Sequence, residues 1–575
     1  MKQKRGISRY LYTLVFLLLA VAVVTVTGSC GGGGGAGDGG GDGGGGGGGP
    51  TPLATGTFTK TADMGSTTYT GLLDADLYAH YQYLYLASNI NGAGRITGLA
   101  IKYRSTMVTA VTCPNATIKL SHSNLANLTG TFANNLGTGQ GSQTTVLNNA
   151  TMTFPAGAAG SWQTILLATP FDYNGKDNLI IDVERTGACS GIVFDDVNTA
   201  WPYTAGVWTT TNGSATGTTA FWAANGKLVF AGGDNEQNYG GAINNYWPFS
   251  VELPRTQNLY LASDIDGSGP ITGIAFQLNQ VSTAQTFTYS VRMGHTTLAA
   301  LGTTYANNYN AGSPVTLANA ATFTVPAGIP AGGWFWVPLP NNTFTYNGTN
   351  NLIVEVEVTA GTGNIYLRTS NLGTANRAAG FAGSNVALGV DDTAYHIKLR
   401  FNGGTMDVIE PSLANYTVPF DGSGTGMVLQ SLYGSYVLGT SGAINRVSLR
   451  LAADTAADVT YTGATITLGH TTLSDLTVTL ANNMDDPRVV FTGNITIPGG
   501  LKVGDWINIP VSGFTYDPTK NLTLQLQSGT GPSSIFLIYG GSGVISNSGA
   551  ATPGSATMGE FEGTRHPHMR LGVSK

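Results

Sequence analysis

Three histidines are the first side chains in this sequence that could do chemistry. They occupy equivalent places in "IKLSHSNLANL", "VRMGHTTLAAL" and "ITLGHTTLSDL", at His122, His295 and His470. Histidine changes charge near neutral pH and is a common metal ligand. A triad or a zinc site needs further acidic, nucleophilic or metal-ligating residues, whereas the neighbours here are Thr, Ser, Gly and Leu. We therefore expect each histidine to tie a turn by hydrogen bonds.

Two pairs of acids have the spacing of a strand, Asp182 with Glu184 in "IIDVE" and Glu355 with Glu357 in "IVEVE". Alternate residues of a strand lie about 6.5 to 7 Å apart, near the separation of glycosidase carboxylates. The third equivalent segment has glutamine in both places, and alternation puts all these residues opposite the apolar face. The pattern predicts a solvated strand face, and a hydrolase is the least favoured function.

The segment "DIDGSG" has the short acidic spacing of a calcium loop, at Asp264 and Asp266. Equivalent segments read "NINGAG" and "LGTSGA", so the turn forms without acids. We expect no obligatory cofactor, and structural Ca²⁺ at this one segment stays open. His566 and His568 are a weak metal candidate. The chain has no H-E-x-x-H, G-x-S-x-G, G-x-x-x-x-G-K or C-x-x-C motif, so we assign no catalytic residue and predict that it is not an enzyme.

Aromatic residues are concentrated in one Thr- and Gly-rich stretch, at Trp201, Tyr203, Trp208 and Trp222. Flat rings in loops can stack on sugars, and they can equally cap the open end of a β-sandwich. Both interpretations stay open, and these four residues are the candidates for glycan contact.

The elements that must position these residues are repeated three times. Four motifs recur in the same order at intervals of about 172 residues, which is long enough for each unit to bury its own core. They are Q-x-L-Y at Gln82, Gln257 and Gln430; the histidine segments; T-[FVI]-P-[AG]-G at Pro155, Pro326 and Pro498, leading to Trp162, Trp334 and Trp506; and F-x-Y-x4-N-L at Phe171, Phe344 and Phe514. We expect the three equivalent tryptophans to lie in the core.

The apolar period inside each unit is two. In "FTYSVRM", Phe287, Tyr289, Val291 and Met293 alternate with polar residues, as in a half-buried strand, and turn signals such as "NGAG", "PAG" and "YNG" separate such runs. The predicted fold is all-β, with three tandem antiparallel β-sandwich domains of jelly-roll type. The predicted domains are copy 1 (55–233), copy 2 (240–404) and copy 3 (408–575).

The order Q-x-L-Y, G-x-I-T, G-H-T-T-L, P-A-G-G-W and F-x-Y-N-G-x-x-N-L resembles a β-sandwich repeat of large secreted and surface proteins of Gram-negative bacteria. The resemblance covers about residues 60 to 575 and implies a jelly-roll module at the cell surface. The family carries no agreed ligand or catalytic residue. Copy 3 departs from it early, with "YGSYVLGTSGA" in place of "YLASNINGAG".

The amino terminus has the order of a secretion signal. Basic residues up to Arg9 precede an apolar run from Tyr10 to Val26. "VTGSC" resembles a bacterial lipobox, which implies a signal peptide at 1–29 and lipid attachment at Cys30; a plain cleaved signal and an uncleaved anchor are the alternatives. The linker at 30–54 is nearly all glycine over 31–50 and would act as a flexible tether of roughly 25 Å. The residue directly after the cysteine is Gly31, and this resembles the pattern of lipoproteins that are sorted to the outer membrane.

Composition limits the possible partners. Only 10% of residues are charged, the net charge is −6, and no basic cluster follows Arg9, which disfavours nucleic-acid binding. Apart from Cys30 the chain has Cys113 and Cys189. In an exported protein these two predict a disulfide, with two separate buried thiols as the alternative.

These observations together favour a non-enzymatic outer-membrane lipoprotein held at or beyond the cell surface through its lipid. Its expected role is structural or adhesive, with surface polysaccharide or envelope proteins as partners. A carbohydrate-binding protein that uses the aromatic loops of copy 1 is the alternative.

Overall fold

The structure is a computed structural model, and it describes the greater part of all three copies. The described residues are 56–62, 80–139, 143–187, 196–198, 204–224, 226–239, 243–245, 247–341, 343–372, 377–382, 385–402, 405–408, 412–416, 419–420, 426–438, 441–540, 548–552, 555–558, 560–561 and 566–574. The predicted signal peptide, linker and lipid site at Cys30 lie outside this part of the chain.

The fold is all-β, as the period-two pattern predicts, and every pairing between described strands is antiparallel. The strands up to residue 237 are β1 (Thr57–Ala62), β2 (His80–Tyr85), β3 (Gly92–Lys102), β4 (Val111–Ser123), β5 (Thr144–Phe154), β6 (Trp162–Tyr173), β7 (Asn178–Arg185), β8 (Asp196–Asn198), β9 (Gly206–Thr209), β10 (Thr218–Ala220), β11 (Trp222–Ala224) and β12 (Gly226–Gln237). Those of copy 2 are β13 (Ile243–Asn245), β14 (Pro254–Tyr260), β15 (Gly267–Gln277), β16 (Gln285–Thr296), β17 (Val315–Val325), β18 (Trp334–Val337), β19 (Phe344–Tyr346), β20 (Asn351–Gly361), β21 (Leu367–Asn371), β22 (Ala378–Ala382), β23 (Gly389–Asp391), β24 (Thr393–Tyr395) and β25 (Ile397–Phe401). Those of copy 3 are β26 (Thr405–Val408), β27 (Ser412–Tyr416), β28 (Val428–Tyr433), β29 (Gly442–Arg450), β30 (Val459–Thr471), β31 (Arg488–Ile497), β32 (Trp506–Tyr516), β33 (Asn521–Gln527), β34 (Leu537–Gly540), β35 (Ser548–Ala551), β36 (Glu560–Phe561), β37 (His566–Pro567) and β38 (Met569–Ser574).

Single-turn helices fall at matching places in the three copies. One set follows the Q-x-L-Y strand, and the other lies in the loop between the fourth and fifth strands of copy 1 and its equivalents. The first set is α1 (Ala87–Ile90), α3 (Ala262–Ile265) and α5 (Ser435–Leu438); the second is α2 (Phe132–Asn135), α4 (Tyr305–Asn308) and a 3-10 helix at Leu480–Asn483. Among the described residues, no helix has both the length and the apolar character needed to span a membrane.

Each copy contributes a six-stranded sheet of the same order. The three orders are β10-β9-β2-β7-β4-β5, β23-β22-β14-β20-β16-β17 and β36-β35-β28-β33-β30-β31. A second sheet pairs the strand after the first helix with the last strand of the copy, as β3 with β12, β15 with β25, and β29 with β38. The repeated motifs therefore lie at equivalent points of equivalent sheets.

Copies 1 and 2 share one eight-stranded sheet, because β12 serves both of them. It pairs with β3 from Gly226 to Asn235, and along its other edge it pairs with β25 of copy 2 from Gly233 to Gln237. Gly233 has φ +113°, and a Cβ there would lie 2.3 Å from the carbonyl oxygen of Ala93, so only glycine allows the strand to pass between the two partners. The predicted boundary between 233 and 240 thus begins inside a strand.

The core follows the same division. One large apolar cluster contains residues of copies 1 and 2 together with Tyr436 of copy 3, and Phe58 joins the first two copies, because its ring stacks on Phe230 at 4.6 Å and on Phe401 at 5.8 Å. A second cluster belongs to copy 3. Residues 52–575 form one compact unit, and the limits of the three predicted domains stay predictions.

Candidate functional site

The three equivalent histidines close turns. Nε2 of His122 accepts a hydrogen bond from the backbone N of Asn174 at 3.1 Å, and the equivalent bonds run from Asn347 to His295 at 3.1 Å and from Asp517 to His470 at 2.8 Å. The rings lie against the Phe and Tyr of the F-x-Y motif. An acceptor Nε2 requires the neutral ring, and burial lowers the pKa of His295. The prediction that these histidines tie turns is confirmed.

The glutamine of Q-x-L-Y also has a structural partner in every copy. Gln257 is fully buried and receives a hydrogen bond from Nδ2 of Asn308 at 2.8 Å. The equivalent bonds join Asn135 to Gln82 at 2.9 Å and Asn483 to Gln430 at 2.8 Å. The asparagines end the segments "FANN", "YANN" and "LANN", and this repeated A-N-N is a signal that the sequence analysis missed.

The acid pairs do not form a solvated face, so that prediction was wrong for their first members. The side chains of Asp182 and Glu355 are each 1% exposed. The reason is that the outer face of the six-stranded sheet is covered by the loop that carries the second short helix. In copy 1, Phe132 of that loop packs with Leu84 and Ile180 in a separate small cluster.

In copy 2 the buried carboxylate is fully bonded. Glu355 receives hydrogen bonds from Arg255 Nε at 3.0 Å, Arg292 Nη1 at 2.5 Å, Gln257 Nε2 at 2.7 Å and Tyr309 Oη at 3.0 Å. Arg292 also bonds Glu357 at 2.9 Å. Two acids and two arginines thus neutralise one another.

Copy 1 has the same arrangement with weaker bonding. Sheet register matches His80, Lys119, Asp182 and Glu184 with Arg255, Arg292, Glu355 and Glu357. His80 Nε2 lies 2.6 Å from Asp182 Oδ1, and Lys119 Nζ lies 3.7 Å from Oδ2. Within the described residues no hydrogen bond reaches Oδ2, and Glu184 has neither a hydrogen bond nor an ion pair.

Copy 3 has only neutral side chains at these positions. Register places Val428, Thr467, Gln525 and Gln527 there, and Gln430 Nε2 donates to Gln525 at 2.8 Å. The same four positions of the sheet thus hold a different combination of side chains in each copy. The charged residues found there in copy 1 are therefore not required for the sheet to form.

A cleft with a volume of about 890 Å³ opens at the copy 1 position. Its copy 1 wall includes His80, Lys119, Asp182 and Glu184, and its opposite wall includes Asp454 and Lys502 of copy 3. The second pair forms an exposed ion pair at 2.9 Å. We call this space the acid cleft. In it, the carboxylate of Glu184 and the ammonium group of Lys119 line one open volume, above the buried carboxylate of Asp182.

The two calcium candidates are bonded within the protein. Asp264 accepts from Arg377 at 3.3 Å and from Tyr239 Oη at 3.2 Å. Asp266 pairs with Lys227 Nζ at 3.0 Å and accepts from the Thr59 hydroxyl. In the described part of the chain, no three His, Cys, Asp or Glu side chains are grouped to hold a metal. Calcium at this segment stays a prediction.

Of the four glycan candidates, the structure describes the side chain of Trp208 alone. It is half-buried on β9 and packs against the main core cluster. Trp222 has its backbone in β11, but its side chain lies outside the described residues, as do Trp201 and Tyr203. Nothing described brings the four rings together.

The equivalent tryptophans are half-buried rather than in the core, where we expected them. A cation covers each ring: Lys227 over Trp162 at 5.1 Å, Lys398 over Trp334 at 4.6 Å and Arg570 over Trp506 at 4.5 Å. The repeated tryptophan and the repeated cation of the last strand therefore conserve one cation–π contact in each copy.

Cys113 is fully buried and disulfide-bonded, and Cys189 lies outside the described residues. The chain nearby runs past Cys113, since the backbone N of Thr186 donates to the carbonyl of Asn115 at 3.2 Å. His566 and His568 are buried, and the ring of His566 meets Tyr433 edge-on at 5.2 Å. The pairing and the metal candidate stay predictions.

Comparison with known proteins adds little to this geometry. No protein-family model matches the chain, and no curated protein matches it. One similar solved structure is a chain of the Sulfolobus Turreted Icosahedral Virus, at 12% identity over 82% of this chain and 98% of that chain, with a TM-score of 0.11. A likeness at this level carries no argument.

Proposed function

We propose that the protein is a lipid-anchored surface protein whose repeated β-sandwich copies serve a structural or adhesive role without catalysis. One observation carries the proposal: the repeated histidine, glutamine and asparagine residues bond to partners inside their own copy. Repetition is then a requirement of folding, and it gives no reason to expect a repeated reaction.

The proposed location of the protein is inferred from its amino-terminal sequence. Cys30 would carry the lipid, and the glycine linker would hold the sandwich copies away from an outer membrane. The protein would meet surface polysaccharide or envelope proteins, and its low content of basic residues argues against nucleic acid.

Replacing the lipid site tests the anchor. We expect Cys30→Ser to move the protein from the membrane fraction to the soluble fraction, and protease added to intact cells to release fragments of the wild type. Cells that lack the protein should adhere less to a polysaccharide-coated surface, and adhesion should return with the wild-type chain. Unchanged membrane retention of Cys30→Ser, or equal adhesion without the protein, would contradict the proposal.

Carbohydrate binding is the second candidate, favoured by Trp208, which is half-buried beside the loop that lines the acid cleft. We expect a bound sugar to change tryptophan fluorescence. Replacing Trp201, Trp208 and Trp222 should abolish glycan binding, with Trp506→Phe in copy 3 as the matched control. Binding that survives the triple replacement would remove the aromatic loops from the site.

A further inference from the structure

We propose that the acid cleft binds a polyhydroxylated ligand, a sugar residue of a neutral glycan, through Glu184 and Lys119, with the buried Asp182 holding Lys119 in place. This inference names the substrate class for the glycan-contact form of the proposed function and rests on it. The cleft is built on side chains of the sheet and adjoins the aromatic loops, since Gly213, in the loop after Trp208, also lines it, and the same glycan would contact both.

Copy 2 shows what the same position looks like when the protein satisfies it alone. There one arginine bonds both acids, at 2.5 Å to Glu355 and 2.9 Å to Glu357. In copy 1 the equivalent Lys119 reaches only Asp182, at 3.7 Å, and Glu184 has no partner among the described residues. In copy 1 an aspartate replaces the longer glutamate and a lysine replaces the arginine. The two acids of copy 1 therefore have fewer hydrogen bonds than the two acids of copy 2.

A second difference between the copies affects the same carboxylate. Tyr309 donates to Glu355 at 3.0 Å, and sequence alignment of "FANNL" with "YANNY" places Leu136 at the equivalent point in copy 1. Leucine donates nothing, and Asp182 Oδ2 is buried without a hydrogen bond. Its remaining partner is Lys119 at 3.7 Å, and the ammonium group of Lys119, whose side chain is 26% exposed, is therefore able to donate to a ligand in the cleft.

The arrangement of charges selects hydroxyl groups. Lys119 faces Asp182 across the strands, and His80 faces Glu184, so donors and acceptors alternate over a small area. A free anion would meet two carboxylates, and an ammonium ion would meet the ammonium of Lys119. A sugar hydroxyl both donates and accepts, so neighbouring hydroxyls can bond Glu184 and Lys119 together.

The walls of the cleft also suit a ring. Glycines line it, and at Gly137, Gly213 and Gly500 a Cβ would meet nothing within 4 Å, so the backbone there is open to close approach. The volume of about 890 Å³ lies within the range of small-molecule sites, about 300 to 1,000 Å³.

Binding of soluble oligosaccharides tests the proposal. The probes are cellohexaose, xylohexaose, mannohexaose and maltohexaose, with hexalysine as the alternative ligand, measured by isothermal titration calorimetry on the full chain. We expect at least one oligosaccharide to bind and Glu184→Gln to weaken it by about tenfold, the loss of one charged hydrogen bond. Glu357→Gln, at the same position of copy 2, is the matched control and should change affinity by less than about twofold.

Several outcomes would overturn the inference: no oligosaccharide binds, the two variants weaken binding equally, or hexalysine alone binds, which would indicate a basic peptide as the ligand. Because Asp182→Asn could also disturb folding, its thermal unfolding is measured with its affinity, and Glu184→Gln decides the question. The cell adhesion assay separates the two proposals. Adhesion that is lost with the protein but kept by Glu184→Gln would leave the adhesive function standing and remove the cleft from it.

Discussion

The guanidinium of Arg400 meets the carboxylate of Asp234 through two hydrogen bonds, 2.6 Å from Nε to Oδ1 and 2.9 Å from Nη2 to Oδ2. The same side chain donates through Nη1 to the carbonyl of Leu438 at 2.6 Å and lies 3.9 Å from the ring of Trp336. Asp234 follows the glycine kink of β12, and Leu438 ends α5. One buried arginine of copy 2 thus contacts β12, the strand that continues from copy 1, and a residue of copy 3.

Replacing Arg400 should lower the free energy of unfolding of all three copies. Arg400→Met leaves Asp234 and a buried carbonyl without their donor, which costs about 3 to 5 kcal/mol for a broken buried pair. Calorimetry should show the first unfolding transition at a markedly lower temperature. The control is Arg95→Met, whose side chain is 49% exposed and pairs with Asp172 at 3.3 Å; it should cost about 0 to 1 kcal/mol. Equal effects of the two changes would refute the coupling role.

The buried glutamines should contribute to stability in all three copies, and Gln257 should contribute most because it also donates to the buried carboxylate of Glu355. Replacing the glutamine by leucine leaves one N–H of the partner asparagine without its acceptor, at a cost of about 1 to 3 kcal/mol in the free energy of unfolding. The three variants are Gln82→Leu, Gln257→Leu and Gln430→Leu. Urea unfolding of the three variants measures this cost. Thr210→Ala, at an exposed position, should stay within about 0.5 kcal/mol of the wild type. A large loss in one copy with none in the others would mean that the repeat has a role beyond folding.

Local patterns were enough to predict the strands and the turn-closing histidines. Both depend on residues close in sequence or on a motif repeated in register. The burial of Asp182 and Glu355 was not predictable in this way, because alternation identifies two faces of a strand and does not say whether a distant loop covers the second one. The passage of β12 from copy 1 to copy 2 was missed for the same reason, since strand pairing across copies leaves no period in the sequence.

The stability of copy 3 should fall in acid because of His566. Burial lowers the pKa of its ring to about 4, against about 6.5 in the unfolded chain. Between these values the unfolded chain binds a proton that the folded protein excludes, so stability decreases as pH falls from about 6.5 towards 4, by about 3 kcal/mol in total. Urea midpoints at pH 7.5 and 4.5 measure the change.

The matched variant for this measurement is His566→Phe, which keeps a ring at the position and cannot titrate. Carboxylates contribute to the pH dependence of both proteins, so the difference between them isolates the histidine. We expect the variant to lose less stability than the wild type on acidification. Parallel pH dependence in the two proteins would show that the ring does not titrate as its burial requires.

The disulfide of Cys113 should join it to Cys189. Cys113 is buried and disulfide-bonded, and residues 186 and 115 bond through their backbones, which brings the chain next to Cys189 close to Cys113. Peptide mapping of the unreduced protein should recover the two cysteines in one linked fragment.

A loop of this length restricts the unfolded chain enough to stabilise the fold by about 4 kcal/mol. Replacing both cysteines by alanine should therefore lower the unfolding temperature, whereas Cys30→Ser should leave it unchanged, and a linked fragment that contains Cys30 would show that the assignment of Cys30 to lipid is wrong.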